Sequence, residues 1–409
     1  MASAERVDPR YGWYLATAAT WFSGIGLHQV MFPWLVVGEL GAGAQWTGIV
    51  QMASLLPGLL LLVVGGALAD RRDPRGLLGW LHVLAALPSL ALAAAIGGER
   101  LSVGVVLGAA TLLGVLNAFT NPARDSLLSR VAGRDVMRAV TGLTIAQFAS
   151  QGAGMLAAGS ARWLGTAPVL VAQAAVVLGG AALSRRLPSR APGAASGGVA
   201  RSEPTRGPAS REAGDVWAGL RIVLGSELRA VLALTCAIGF LFSASYNVVL
   251  PVLVRDVYGG DVQDVSLVML TFPVGTILGS FVLLSRGGIR RKGRALVLSL
   301  VVASASVIVS GLGLPFTAVV AAGLVWGLAG AVFLNMGRTL FQERAPEAER
   351  ARVLAVNHLG FMATGPLGAL LSGFVAAELG PRAALVGFGA GMLALLALVT
   401  LASDVLRME

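Results

Sequence analysis

The sequence predicts an all-α polytopic membrane protein, with twelve transmembrane helices in two pseudosymmetric six-helix bundles and both termini cytoplasmic. Three observations predict it. Charged residues make up 13% of the 409, hydrophobic residues 56%, and mean hydropathy is +0.78; soluble domains carry roughly 25% charge. Apolar runs recur that are long enough to cross a hydrocarbon core about 30 Å thick. Segments of the first half reappear, in order, in the second.

The runs lie near 14–37, 46–68, 77–97, 101–121, 139–161, 166–184, 230–254, 264–284, 294–312, 315–337, 353–377 and 382–402. Away from their first residues none contains Asp, Glu, Lys or Arg, while His28, His82 and His358 all fall inside. The opening "MASAERVDPRYGW" has acidic residues and no cleavage-site pattern, so the first run reads as a retained span. Gly 54 suits close helix–helix approach. The single cysteine, Cys236, allows no internal disulfide and no Cys-based metal cluster, and reads as helix packing.

Net charge is +10, yet its placement speaks for topology rather than nucleic-acid binding. With the N-terminus inside, the outer loops hold only Arg100, Arg162, Arg255 and Arg382 of the 31 basic residues. Such a bias sets orientation, and attraction to anionic lipid is a weak by-product. The expected location is a bacterial-type plasma membrane. Between the halves, "LPSRAPGAASGGVARSEPTRGPASREAG" loses all apolar period and reads as a flexible cytoplasmic linker. The domains are therefore 1–186, the linker 187–214, and 215–409.

The internal repeat is direct. "FTNPARDSLLSR" from Phe119 matches "FLNMGRTLFQER" from Phe333 at one constant spacing, which also pairs Arg138 with Arg352, Gly154 with Gly368 and Gly159 with Gly373. "FSGIGLHQVMFPWLV" from Phe22 matches "FLFSASYNVVLPVLV" from Phe240, so His28 falls on Tyr246, Gln29 on Asn247 and Pro33 on Pro251. Parallel repeats of this kind characterise a major class of transporter.

Between spans two and three, "GALADRRDPR" resembles the signature of the major facilitator superfamily. "NPAR" at Asn121–Arg124 and "GPLGALLSG" at Gly365–Gly373 resemble one branch, the transmembrane secretion effectors of macrolide- and siderophore-efflux type, and "VWAGLRIVL" resembles its entry into span seven. The resemblance covers the chain except the linker. It implies that spans one, four, seven and ten line a central cavity, and that the Asp of the signature closes the inner side against the start of span eleven. Three departures count against proton antiport. Asp73 and Pro74 stand where Gly and a basic residue are usual, span four lacks the buried arginine of many proton-driven drug antiporters, and "SQGAGMLAAG" in span five has no proline.

Polar side chains in hydrocarbon need a partner or a wet cavity. The expected cavity set is His28, Gln29, Asn117, Gln147, Gln151, Tyr246, Asn247, Asn357 and His358. Asn117 shares a helix face with Asn121, and Gln147 shares one with Gln151. His28 reads equally as cavity lining or interhelical glue, whereas His82, on an outer span, reads as packing. The expected cytoplasmic gate is Asp70, Arg71, Arg75, Asn121, Arg124, Asn335, Arg338, Arg350 and Arg352. Asn121 and Asn335 are read there as helix-end caps or gate hydrogen bonds.

These readings favour a secondary exporter of a small amphipathic or hydrophobic compound. The alternatives are an importer of a nutrient or lipid-related molecule, or a non-transporting membrane protein of the same fold. An enzyme is not expected: no span holds a nucleophile–base set, metal ligands or a clustered acid pair, and no P-loop pattern appears. Expected partners are the small-molecule substrate, the bilayer and, where transport is coupled, a proton or other ion. With no carboxylate inside the spans, a proton would fall to a histidine, His28 first. No cofactor and no nucleic acid is expected, and the protein reads as a monomer.

Overall fold

The computed structural model describes residues 10–132, 136–189, 217–286 and 289–408. Side chains of residues 62, 63, 69–71, 129, 136–138, 286, 348 and 351 are outside the description, as is the linker from residue 190 to 216. The described chain is helical throughout, with no strand among these residues. Helices fall on all twelve predicted intervals. Nine among the described residues are long and apolar enough to cross a membrane.

The first span is α1, Arg10–Trp34, which runs into a π-helical turn, Leu35–Glu39. Pro33 lies just before that turn. Proline removes an N–H and crowds the preceding turn; at the far end of the π turn Leu40 N–H donates to the Leu35 carbonyl at 3.1 Å. The second span breaks at Leu61 into α2, Ala44–Leu60, and α3, Leu62–Arg71. Arg72 is extended, Asp73 is the N-cap, and Pro74 opens α4, Pro74–Gly97. Proline suits that first position because its missing N–H would be unpaired anyway. α5, Val103–Val131, begins at Ser102, whose hydroxyl accepts from Val105 N–H. α6, Val136–Gly159, the short α7, Ala161–Leu164, and α8, Thr166–Ser184, complete the half.

The second half holds a helical stretch over 217–224 and α9, Leu228–Leu241. An eight-residue π-helix, Phe242–Val249, leads into α10, Leu250–Asp256, with Pro251 near its start. Then come α11, Val262–Arg286; α12, Lys292–Gly311; α13, Phe316–Arg344; α14, Arg350–Leu379; and α15, Pro381–Ala402. Gly380 joins the last two at φ +81°, a left-handed conformation that favours glycine.

By packing, the chain forms two compact units: 1–29 with 53–211, and 30–52 with 212–409. The boundary falls inside α1, between Gln29 and Val30. In the first unit Tyr14, Phe22, Leu78, Leu127 and Leu143 share one buried cluster. Its tightest helix crossing is between α1 and α6: a Cβ at Gly154 would lie 1.9 Å from the Ser23 carbonyl oxygen. In the second unit a Cβ at Gly368 would lie 2.5 Å from the Phe240 carbonyl oxygen. Lipid tails give helices little hydrophobic reason to associate, so van der Waals contact at such small residues carries the association.

Candidate functional site

In the first unit α1 supplies three polar contacts to neighbouring helices. His28 is buried, with Nδ1 2.7 Å from the Gly24 carbonyl and Nε2 3.0 Å from the Ser89 hydroxyl on α4. A carbonyl only accepts, so Nδ1 carries the proton and neutral Nε2 accepts from Ser89. Both ring nitrogens are thus engaged inside the unit. Next to it, half-buried Gln29 accepts at 2.9 Å from Gln151 Nε2 on α6. Two turns earlier on α1, Trp21 Nε1–H donates to Asn117 Oδ1 on α5 at 3.1 Å. Interhelical bonds of this kind are worth about 0.6 kcal/mol each in membranes. Gln147 is half-buried on α6, one turn before Gln151. His82, buried as expected of a packing residue, holds Leu78 and Thr17 carbonyls within 2.8 and 3.3 Å.

Two sequence readings need correction. α5 runs on to Val131 and α13 to Arg344, so Asn121 and Asn335 lie well inside helices and cap nothing. Each helix continues past its asparagine, α5 through Pro122 and α13 through Gly337, and the charged residues there continue the turns. Asn335 Nδ2 donates back to the Ala331 carbonyl at 2.8 Å. The extension also brings Arg124 into the fourth span, which covers Val103–Leu128, so that span holds a half-buried arginine. The guanidinium lies 4.3 Å over the Phe22 ring, and Nη2 donates to Asn121 Oδ1 at 2.8 Å. Its Nε and Nη1 are buried and have no hydrogen-bond partner among the described residues. A cation over an aromatic face is worth roughly 1 kcal/mol, a partial offset for those unpaired donors.

In the second unit Tyr246 is 1% exposed, and its hydroxyl donates to the Met269 carbonyl on α11. Its ring belongs to an aromatic cluster that sequence reasoning missed. Phe242 stacks on Tyr246 at 4.7 Å and meets Phe272 at 4.9 Å, Trp326 at 6.0 Å and Phe361 at 6.2 Å. Phe242, Phe272 and Phe361 keep part of their surface exposed, whereas Trp326 is buried. Only the period of the apolar residues was visible in the sequence, and these four rings come from four separate helices. The π-helix that carries Phe242 also holds Ser243 and Ser245, whose buried hydroxyls have no partner among the described residues, and buried Asn247. On α14, Asn357 Oδ1 lies 3.1 Å from the Thr235 hydroxyl, and His358 is exposed.

The gate residues divide between several places. The side chains of Asp70 and Arg71 lie outside the described residues. Arg75 lines a groove between α4 and α8, opposite Arg185. Arg338 and Arg350 are exposed, and Arg352 pairs with Glu349 at 2.5 Å. Two further ion pairs, Lys292 with Glu343 at 2.9 Å and Arg344 with Glu227 at 2.6 Å, stand at the same arginine-rich end. No group of His, Cys, Asp and Glu among the described residues is arranged to hold a metal ion.

Comparison with known proteins gives one family. The multidrug efflux pump Tap of Mycolicibacterium fortuitum is 35% identical over 130 residues, 29% of this chain and 30% of that relative's length. Three solved structures superpose on nearly the whole chain. The nucleoside transporter NupG has a TM-score of 0.70 at 13% identity, covering 96% of this chain and 98% of its own. A POT family transporter in complex with 5-aminolevulinic acid has a TM-score of 0.74 at 12%, covering 97% and 96%. A bacterial homolog of the human lysosomal transporter Spinster, inward-facing and occupied, has a TM-score of 0.71 at 14%, covering 98% and 97%. At such identities these likenesses establish the fold alone. The profile of the Major Facilitator Superfamily matches residues 14–317 and 232–406, and the chain belongs to that superfamily of membrane transporters.

Proposed function

We propose that the chain is a secondary active exporter of small amphipathic or hydrophobic compounds. In this reading it works as a monomer by alternating access, in a bacterial-type plasma membrane with both termini cytoplasmic. The observation that carries the reading is the half-exposed aromatic face of Phe242, Phe272 and Phe361, backed by Tyr246 and Trp326. Large, flat apolar surfaces with few polar anchors accept compounds of varied shape. Among the described residues, none of the buried ones is Asp or Glu, so the interior offers no fixed anion that would demand a charged nutrient. The local match to a multidrug efflux pump supports the same direction. Gln147, Gln151 and Asn117 in the first unit, with Asn247 and His358 in the second, are the polar anchors assigned to substrate. The inner gate implied by "LADRR" is assigned to Asp70, and Asp70→Asn is expected to slow turnover.

The test is uptake of a fluorescent amphiphilic dye into inverted membrane vesicles containing the full chain, with a pH gradient imposed or collapsed. Export predicts accumulation above vesicles that lack the protein. Accumulation only in right-side-out vesicles would overturn the direction, and no gradient-dependent movement in either orientation would overturn secondary transport of such compounds.

A further inference from the structure

Between the start of α4 and the end of α8 lies a groove of about 280 Å³. Its floor is small: Gly76 and Gly79 come from α4, where a Cβ at Gly79 would come within 3.0 Å of the Ser184 oxygen on α8. Arg75 and Arg185 stand at its two sides and Trp80, 70% exposed, forms its outer wall. Neither arginine side chain makes an ion pair or hydrogen bond among the described residues. The nearest carboxylate, Asp73, is itself engaged. The next residue along, Arg186, lies 4.1 Å over the Trp13 ring.

The groove sits where two candidate membrane spans end, Pro74–Gly97 and Thr166–Ser184. Exposed tryptophan and arginine at such an end belong to the headgroup level of a bilayer.

The second unit shows what this geometry receives. There the matching helices are α12 and α15, and the chain fills the corresponding place with its own C-terminal turn, Val405–Arg407. Gly293, in the first turn of α12 as Gly76 is in that of α4, lies directly under the turn: a Cβ there would be 1.8 Å from the Val405 carbonyl oxygen. Gly293 N–H donates to the Met408 carbonyl at 3.0 Å, Arg294 Nε donates to the Leu406 carbonyl at 3.3 Å, and Val405 is fully buried. Electronegative oxygens meet the basic rim, and an apolar side chain meets the floor. At Gly76 the same place is open, with only the Asp73 carboxylate as near as 4.0 Å to a Cβ.

We propose that the α4–α8 groove binds one anionic phospholipid, its phosphate held between Arg75 and Arg185 and its acyl chain laid along Gly76, Gly79 and Trp80. The occupant follows from charge and depth together. Two unpaired guanidinium groups call for a phosphate, and the apolar floor continuing into the membrane calls for an acyl chain. Zwitterionic lipid carries a competing ammonium, and free phosphate leaves the floor empty.

The experiment is lipid retention by the full-length protein, delipidated in detergent and titrated with phosphatidylglycerol or phosphatidylcholine, read by native mass spectrometry. Wild type is expected to prefer phosphatidylglycerol. Each arginine near a membrane surface contributes about fivefold to anionic-lipid affinity, so Arg75→Ala and Arg185→Ala each lower retention by about that factor. Arg75→Lys with Arg185→Lys keeps most of the preference and controls for folding. Arg100→Ala with Arg162→Ala, at the opposite membrane end, leaves it intact. Equal retention of the two lipids by wild type would overturn the proposal. So would an unchanged preference in the double alanine variant, or complete displacement of the lipid by millimolar inorganic phosphate.

Discussion

At matched points of the repeat the two units preserve packing and change chemistry. Gly154 and Gly368 each press onto a carbonyl of the first helix of their own unit. Between one and two helical turns beyond that shared crossing the likeness ends. The first unit carries His28, tied to Ser89, on plain α-helix. The second carries Tyr246, tied to Met269, on a π-helix inside an aromatic cluster. Each side chain bonds to another helix of its own unit, His28 to α4 in the third span and Tyr246 to α11 in the eighth. The duplicated feature is therefore the helix scaffold with its small residues, because backbone-to-backbone contact admits no substitute. The side chains between crossings are free to diverge, and the second unit has used that freedom to build an aromatic face.

The largest effect should come from the crossing itself. Gly154→Leu must drive α1 and α6 apart by more than the side chain's own width, since even a Cβ overlaps the Ser23 carbonyl. Overpacking costs about 1–3 kcal/mol and more where backbone cannot yield, so loss of folded protein in size-exclusion chromatography is expected. Gly368→Leu, with the gentler contact, should leave a destabilised but detectable fraction. Equal tolerance of both would mean the crossings are looser than described and the shared scaffold argument fails.

The aromatic face comes next. Phe242→Leu keeps apolar volume and removes the ring contacts to Tyr246, Phe272 and Trp326, each worth about 0.5–1.5 kcal/mol. The half-saturation concentration for an amphipathic dye should rise about five- to tenfold, with maximal rate less affected. Its counterpart in the repeat, Gly24, has no ring to lose. If Phe242→Leu transports as wild type while Gln151→Ala does not, substrate contact belongs to the polar first unit rather than the aromatic second one.

How far could this be read from the sequence? The twelve intervals were legible because each depends on length and hydropathy alone. The repeat was legible because asparagines, arginines and prolines recur in order. Their roles were less so. Asn121 reads as a helix end only if hydropathy marks the end, and α5 continues for ten residues beyond it, carrying Pro122 inside the helix. The same boundary hid Arg124 inside the span, where it stacks on Phe22. His28 was ambiguous because its partner, Ser89, lies on another helix and serine has no distinctive spacing. The cluster around Phe242 was invisible for the same reason: beyond Phe242 and Tyr246 on one π-helix, its rings come from three further helices far apart in the chain.

A smaller effect separates the two anchoring hydrogen bonds. Ser89→Ala removes the donor to His28 Nε2, and Tyr246→Phe removes the donor to the Met269 carbonyl. Leaving a buried partner unsatisfied costs about 1–3 kcal/mol, toward the lower end in membranes, where unfolded helices find other partners. Both should lower the thermal midpoint measured in detergent. The pH profile of transport should stay unchanged in Ser89→Ala, since His28 serves here as a brace between α1 and α4. A shifted profile would instead make His28 the proton carrier.

The smallest effect lies at the arginine-rich end, where the repeat pairs Arg130 with Arg344. Arg344 bonds Glu227 at 2.6 Å, with the two side chains 39% and 62% exposed. Arg130 is exposed and makes no ion pair among the described residues. Position in the sequence would give the two arginines one role, and only one has a partner. Exposed pairs contribute about 0.2–1 kcal/mol, because water screens the charges and ordering two long side chains opposes the gain. Glu227→Gln should therefore lower the thermal midpoint slightly at low salt and not at all at high salt, where the Debye length falls to a few ångströms. Arg130→Ala should do neither. The pair links α13 to the residue just before α9, so a loss well above 1 kcal/mol in Glu227→Gln, or one that survives high salt, would show that it holds the entry to the second unit in place. A loss of the same size in Arg130→Ala would show that both arginines act through the helices that carry them and not through any partner.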